Sequence, residues 1–261
     1  MFSGLLQVKV DEVVDTAISN GINFFDVAPT YGDAEIKLGN ALEGKRKNIL
    51  LSCKTTRRDR NNALSELRQS MKNLKTDYFD FYVMHGIRDV EKDVQSACSK
   101  NGMLELAIEV KKQGIVRRIG FSAHTEEAAI AALNKFDFDF IMFPINIFCF
   151  LKVGFGEKVL EAARKRNVDV IGIKCFALQK WKENSEKSKY PNCWYQPIED
   201  IEIAKIAFSW AVNKGIVSII PPADVEVFCN AIKIARMKLE LKQAHLARIK
   251  KIVDNIEPIF P

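Results

Sequence analysis

At 261 residues, 48% of them hydrophobic, the chain can bury one full core and falls in the size range of a single α/β barrel domain spanning residues 1–261. Its net charge of +6, from 39 basic and 33 acidic residues, is scattered and forms no basic stripe interleaved with aromatics, which argues against nucleic-acid binding. Six cysteines without a C-x-x-C pair and only three histidines offer no clustered ligand set, so no metal is expected. No apolar run nears the ~20 residues of a membrane span, and no basic-then-apolar leader opens the chain. The expectation is a cytoplasmic protein with reduced, largely buried thiols and no membrane partner.

In chain order, residues 10–20 predict a helix, with Asp11 and Glu12 in its first turn, Val13, Val14, Ala17 and Ile18 as its apolar stripe, and Gly21 past its end. A strand follows at 22–27, apolar on both faces as in a strand covered on both sides. Helix 34–42, strand 48–53, helix 61–75 and strand 78–84 continue the alternation. Helix 103–113 stops at Gly114, strand 116–122 precedes helix 126–134, and strand 138–145 follows; the alternation of phenylalanines at 136, 138, 140 and 143 reads as core packing. Helix 157–167, strand 168–174, helix 201–213, strand 216–221, helix 224–235 and a closing helix 240–256 complete the pattern. Residues 178–200 break the rhythm and read as a long polar loop whose Trp181, Trp194 and Tyr195 can wall a substrate pocket.

Strands alternating with helices build parallel neighbours whose carboxyl ends share one face. Seven strands are counted, and residues 2–8 make a poor eighth because of Gly4 and Gln7. The expected fold is therefore a (β/α)8 TIM-type barrel lacking or shortening its first strand, with numbering that begins at an internal methionine.

Four polar side chains sit at or just beyond successive strand ends: Asp26, Tyr31 in the following loop, Lys54 and His85. Alone, each has a plain structural reading, as a turn residue, a half-buried aromatic or a strand-end polar group. Together, at strand ends that share a face, they point to chemistry. A lysine ammonium beside a tyrosine favours the phenolate, an aspartate keeps that lysine charged and in place, and a histidine orients a bound carbonyl oxygen. Such a set can protonate an alkoxide as hydride arrives, but no side chain supplies the hydride.

These segments resemble the aldo-keto reductase family. The matching stretches are Gly21-Ile22-Asn23-Phe24-Phe25-Asp26-Val27-Ala28-Pro29-Thr30-Tyr31-Gly32, Glu35, Leu38-Gly39, Ala41-Leu42, Leu51-Ser52-Cys53-Lys54-Thr55, Asp77-Tyr78-Phe79-Asp80-Phe81-Tyr82-Val83-Met84-His85 and Gly120-Phe121-Ser122. The resemblance implies an NAD(P)-dependent oxidoreductase that reduces an aldehyde or ketone to an alcohol, using NADP(H), with NAD(H) as the alternative cofactor. It makes Tyr31 the general acid, Lys54 and Asp26 its tuning pair and His85 the group that orients a small carbonyl substrate. It further implies cofactor contacts from Ser122, Lys174 and Asn230.

Three family positions depart from the pattern: Ala123 follows the strand-end serine, Met142 stands in place of a glutamine, with Asn146 a little beyond, and Ile173 replaces a stacking aromatic. The segment Pro222-Ala223-Asp224 lacks the basic residues that grip a 2′-phosphate. These departures favour the alternative, a non-catalytic or regulatory dinucleotide-binding barrel. Substrate identity is expected to lie in loops 86–100 and 178–200, and oligomeric state has no signal in the sequence.

Overall fold

The computed structural model describes residues 1–182, 189–237 and 240–260. It comprises two compact units, residues 2–141 and residues 142–261, with Met1 grouped with the second. Residues 183–188 of the expected long loop, 238–239 and 261 lie outside the described residues.

In the first unit, α1 (Gln7–Ser19) precedes β1 (Phe24–Asp26), α2 (Ala34–Ala41), β2 (Leu50–Thr55), α3 (Arg60–Asn73) and β3 (Phe79–Ile87). A π-helical turn, Val90–Gln95, then runs into the single-turn α4 (Ser96–Cys98), followed by α5 (Met103–Lys112), β4 (Val116–Ala123) and α6 (Glu126–Lys135). Strands β1, β2, β3 and β4 pair in that order and in parallel. The strands are built on apolar runs because both of their faces are largely covered. In β2, every residue after Leu50 is buried. No strand precedes α1: residues 2–6 turn directly into that helix, which starts three residues before the predicted boundary. The shortened start expected from the sequence is thus observed, and Phe24 is the first strand residue.

Aromatic packing fills the core of this unit. The Phe81 ring meets Phe140 at 4.9 Å, and Phe121 meets Phe138 at 4.8 Å, both edge to face. At the start of β3 the buried Asp80 accepts from Arg46, Arg117 and the Leu51 amide, while both guanidinium groups lie over the Tyr78 ring. A buried carboxylate so paired is a device of stability at the strand-start end of the sheet.

The strand β5 (Phe140–Pro144) straddles the boundary between the units in sequence. The second unit continues with α7 (Ile147–Val153), α8 (Glu157–Lys165), β6 (Asp169–Ile173), β7 (Ala177–Lys180), β8 (Tyr195–Pro197), α9 (Ile201–Asn213), β9 (Ser218–Ile219), α10 (Val225–Ala235) and α11 (Gln243–Val253). β6 and β9 pair in parallel. Instead of staying irregular, the two ends of the 178–200 segment close into an antiparallel ribbon, β7 with β8. Trp181 packs over the small cluster of Tyr190, Cys193 and Val227, and its indole N–H donates to the Cys193 carbonyl at 2.8 Å. Asp200 and Asp224 cap α9 and α10, each accepting from two backbone amides of its own first turn. All six cysteines are unpaired, four buried and two half-buried. Among the described residues no helix is long and apolar enough to cross a membrane, and no group of three or more His, Cys, Asp and Glu could hold a metal ion.

Candidate active site

Asp26 ends β1, and its register partner is Ser52 on β2. Lys54 lies two residues further along β2 and so projects from the same face as Ser52. The Lys54 ammonium and the Asp26 carboxylate meet at 2.6 Å, with side chains only 5% and 8% exposed. Burial works against the lysine's charge, but Asp26 and then Tyr31 outweigh it and raise the pKa of Lys54, so the ammonium persists at neutral pH.

Tyr31 arrives from the loop after β1. Its amide donates to the Ala28 carbonyl at 3.0 Å, closing a turn around Pro29 and Thr30, and Gly32 follows at φ +60°. Proline pre-sets the turn and glycine tolerates the left-handed conformation, so this short loop returns the tyrosine to the sheet end. There the Lys54 ammonium donates to the Tyr31 hydroxyl at 3.2 Å. Tyr31 as a residue is 38% exposed, so it joins a buried charge to an accessible surface.

His85 stands at a register shift in β3, where the ladder to β4 is interrupted between Met84 and Ile87. Such a bulge turns a side chain away from the pleat. Gly86 takes φ +70° and its amide donates to the Ser122 hydroxyl at 2.8 Å. The half-buried imidazole sets its edge against the Tyr31 ring, with centroids 5.8 Å apart and planes at 89°. Asp26, Tyr31, Lys54 and His85 thus form one constellation within the first unit, and Ser122 joins it through Gly86.

Lys174 and Asn230 belong to the second unit. Lys174 follows β6 with φ +62°, and its ammonium lies 5.5 Å from the Trp194 ring centroid and 5.2 Å from that of Tyr195. Asn230 is half-buried on α10. Asn146 is fully engaged in structure: its amide donates to the Lys174 and Ala177 carbonyls, and its oxygen accepts from the Cys149 amide. Of two residues that the sequence did not single out, Arg58 donates to the His85 carbonyl and Asp93 accepts from Arg58. Their partnership spans 35 positions and has no periodic signature in the sequence.

A family model for the aldo/keto reductases matches residues 6–254. The chain belongs to the aldo/keto reductase family. Among curated relatives of that family, the aldo-keto reductase YhdN of Bacillus subtilis is 28% identical over 207 residues, covering 71% of this chain and 58% of its own. The methylglyoxal reductase DkgB of Salmonella typhi is 30% identical over 142 residues, covering 50% of this chain and 51% of its own. The chain spans only about half the length of the curated relatives it matches. Among solved structures, the holo form of the aldo-keto reductase AKR11C1 from Bacillus halodurans superposes with a TM-score of 0.71 at 17% identity, covering 95% of this chain and 88% of that one. An aldo/keto reductase from Klebsiella pneumoniae, solved with NADP and acetate, gives 0.67 at 16% identity and covers 97% and 87%. At these identities the likeness shows the fold, which is the α/β barrel that the sequence predicted.

Proposed function

We propose that this chain is an NAD(P)H-dependent reductase that converts a small aldehyde or ketone to an alcohol, with Tyr31 as proton donor. The observation that carries the reading is the linked trio in which a buried Lys54 ammonium contacts Asp26 at 2.6 Å and the hydroxyl of the part-exposed Tyr31 at 3.2 Å. Because Lys54 donates to the tyrosine oxygen, that oxygen's own proton is left for a substrate oxygen on the open side. When the proton leaves, the phenolate forms beside a fixed ammonium, a charge already in position and needing little reorganisation. Asp26 keeps Lys54 in place and offsets the cost of burying it. His85, edge-on to Tyr31, orients the carbonyl oxygen toward the same hydroxyl.

The donor set fits a dinucleotide partner, because all four groups hold or move protons and none can release a hydride. Bound reduced nicotinamide, NADP(H) by expectation and NAD(H) as the alternative, supplies that hydride. Ser122, Lys174 and Asn230 are the residues proposed to hold it. Support for NADP(H) comes from the Klebsiella relative's complex, and support for a small carbonyl substrate from the methylglyoxal reductases. Six unpaired cysteines suit a reducing compartment such as the cytoplasm. The proposal treats residues 1–261 as one barrel domain, since the family model matches almost the entire chain.

A parallel titration with NADPH and NADH, followed by tryptophan fluorescence from Trp181 and Trp194, tests the cofactor. Saturable quenching by NADPH is expected, together with oxidation of NADPH when methylglyoxal is added. Quenching by neither dinucleotide contradicts the proposal, and binding without turnover on a panel of small carbonyls favours the regulatory alternative.

A further inference from the structure

His85 owes its aim to a backbone that leaves the sheet. The register shift after Met84 frees residues 85 and 86 from the β4 ladder, which resumes only at Ile87 opposite Ala123, so other contacts must hold this stretch and the residues after it. Several do. The Ile87 carbonyl accepts from the His124 amide at 3.0 Å, and the Arg88 carbonyl accepts from the Thr125 hydroxyl at 2.9 Å. Further contacts converge on one ion pair.

Arg58 lies just after β2, on a segment pinned to the entry of α5. Its carbonyl accepts from the Met103 amide at 2.8 Å, and the next residue, Asp59, bridges Gly102. From that fixed base the Arg58 Nη2 donates to the His85 carbonyl at 2.9 Å, and Nε donates to Asp93 Oδ1 at 3.0 Å. The other oxygen of Asp93 accepts from the amides of Arg88 and Asp89 at 2.8 and 3.0 Å. One carboxylate thus ties the loop after His85 to an arginine that also holds His85 itself. The two side chains are 14% and 21% exposed, so the contact is screened less than a surface pair. Asp93 sits in the π-helical turn Val90–Gln95, a geometry often found beside functional sites.

We infer that Arg58 and Asp93 are positioning residues, which set the orientation of His85 by clamping the backbone at His85 itself and just after its bulge. The inference rests on the reading of His85 as the group that orients the carbonyl. Neither side chain is assigned a contact with substrate. Arg58 governs where the imidazole points, and a small misalignment of such a group lowers turnover steeply.

The full chain is compared with Arg58→Gln, Arg58→Lys and Asp93→Asn, by imidazole Cε1–H correlation spectra and by NADPH-dependent carbonyl reduction. With three histidines in the chain, the His85 signal is assigned by its loss in His85→Asn, and His245 on α11 serves as reference. Arg58→Gln is expected to move the His85 resonance while His245 stays, to lower kcat about 10- to 100-fold, and to leave NADPH quenching unchanged. Arg58→Lys is expected to recover part of that loss, since an ammonium can keep one of the two bonds. Asp93→Asn is expected to move the same resonance. A merely structural role predicts instead a lower thermal midpoint with an unmoved His85 resonance in the folded protein, and that result overturns the inference, as does wild-type turnover in Arg58→Gln. If the unmodified chain reduces no carbonyl, the proposed function fails. The spectra still decide the clamp: a moved His85 signal sustains it, and an unmoved one removes it.

Discussion

Burying a lysine ammonium in a nearly dry position costs several kcal/mol unless partners compensate. At Lys54 the partners are Asp26, 2.6 Å away, and the Tyr31 hydroxyl, 3.2 Å away. The arrangement is one of function more than of economy, because a hydrophobic pair of similar volume would fill the same space at less expense. Lys54→Met is therefore expected to strand the Asp26 carboxylate and lower unfolding stability by about 3–5 kcal/mol, read from the urea midpoint. Lys54→Met with Asp26→Asn should restore part of that stability while leaving turnover abolished. A single Lys54→Met variant as stable as the parent contradicts the buried pair as described.

Glycine at position 39 shows how closely the elements approach each other. A Cβ there would run into the Asn73 carbonyl and lie 2.8 Å from the Leu74 Cα, so α2 rests directly on the backbone at the end of α3. Backbone atoms cannot swing aside as side chains do, and Gly39→Ala is expected to destabilise by about 1–3 kcal/mol in chemical denaturation. No loss would mean that the helices sit further apart. The helix–strand alternation was legible in the sequence because buried parallel strands such as 79–84 are continuous apolar runs between amphipathic stretches. Asp26, Lys54 and His85 were legible because polar residues ending such runs stand out. Arg58 and Asp93 were not, since their pairing depends on where two loops meet in space. The β7–β8 ribbon was equally hidden, because Ala177–Lys180 and Tyr195–Pro197 are too short and too polar to show an alternating pattern. Asn146, a little beyond the position where Met142 replaces a glutamine, spends its side chain on three backbone groups.

Acid sensitivity gathers contributions from many sites of one sign. Burial opposes ionisation of Asp93, but the amides of Arg88 and Asp89, with Arg58, outweigh it and hold the carboxyl below its ordinary pKa. The exposed carboxylates of Asp33, Glu43 and Glu161 are lowered by Lys37, Lys75 and Lys165 respectively, and that of Asp59 by the Asn62 amide. A group whose folded pKa is depressed stabilises fully above its unfolded pKa, and that stability is lost as pH falls through the folded value. The urea midpoint is thus expected to hold at neutral pH and to decline below about pH 4. The difference between the parent chain and Asp93→Asn should shrink over the same interval. A difference independent of pH would mean that Asp93 is not held as an ionised carboxylate. Thiol chemistry enters little at neutral pH, since burial pushes the Cys175 thiol up to about 12 and raises Cys53 further still.

The most direct test of Tyr31 as the proton donor is steady-state NADPH oxidation by the parent chain and Tyr31→Phe with the same small carbonyl, alongside NADPH fluorescence quenching. The phenyl ring keeps the shape of the site and removes only the hydroxyl that Lys54 contacts. The expected result is a fall in kcat of about 10²- to 10⁴-fold with NADPH quenching retained. Undiminished turnover in Tyr31→Phe would contradict the assignment and place the proton donor elsewhere.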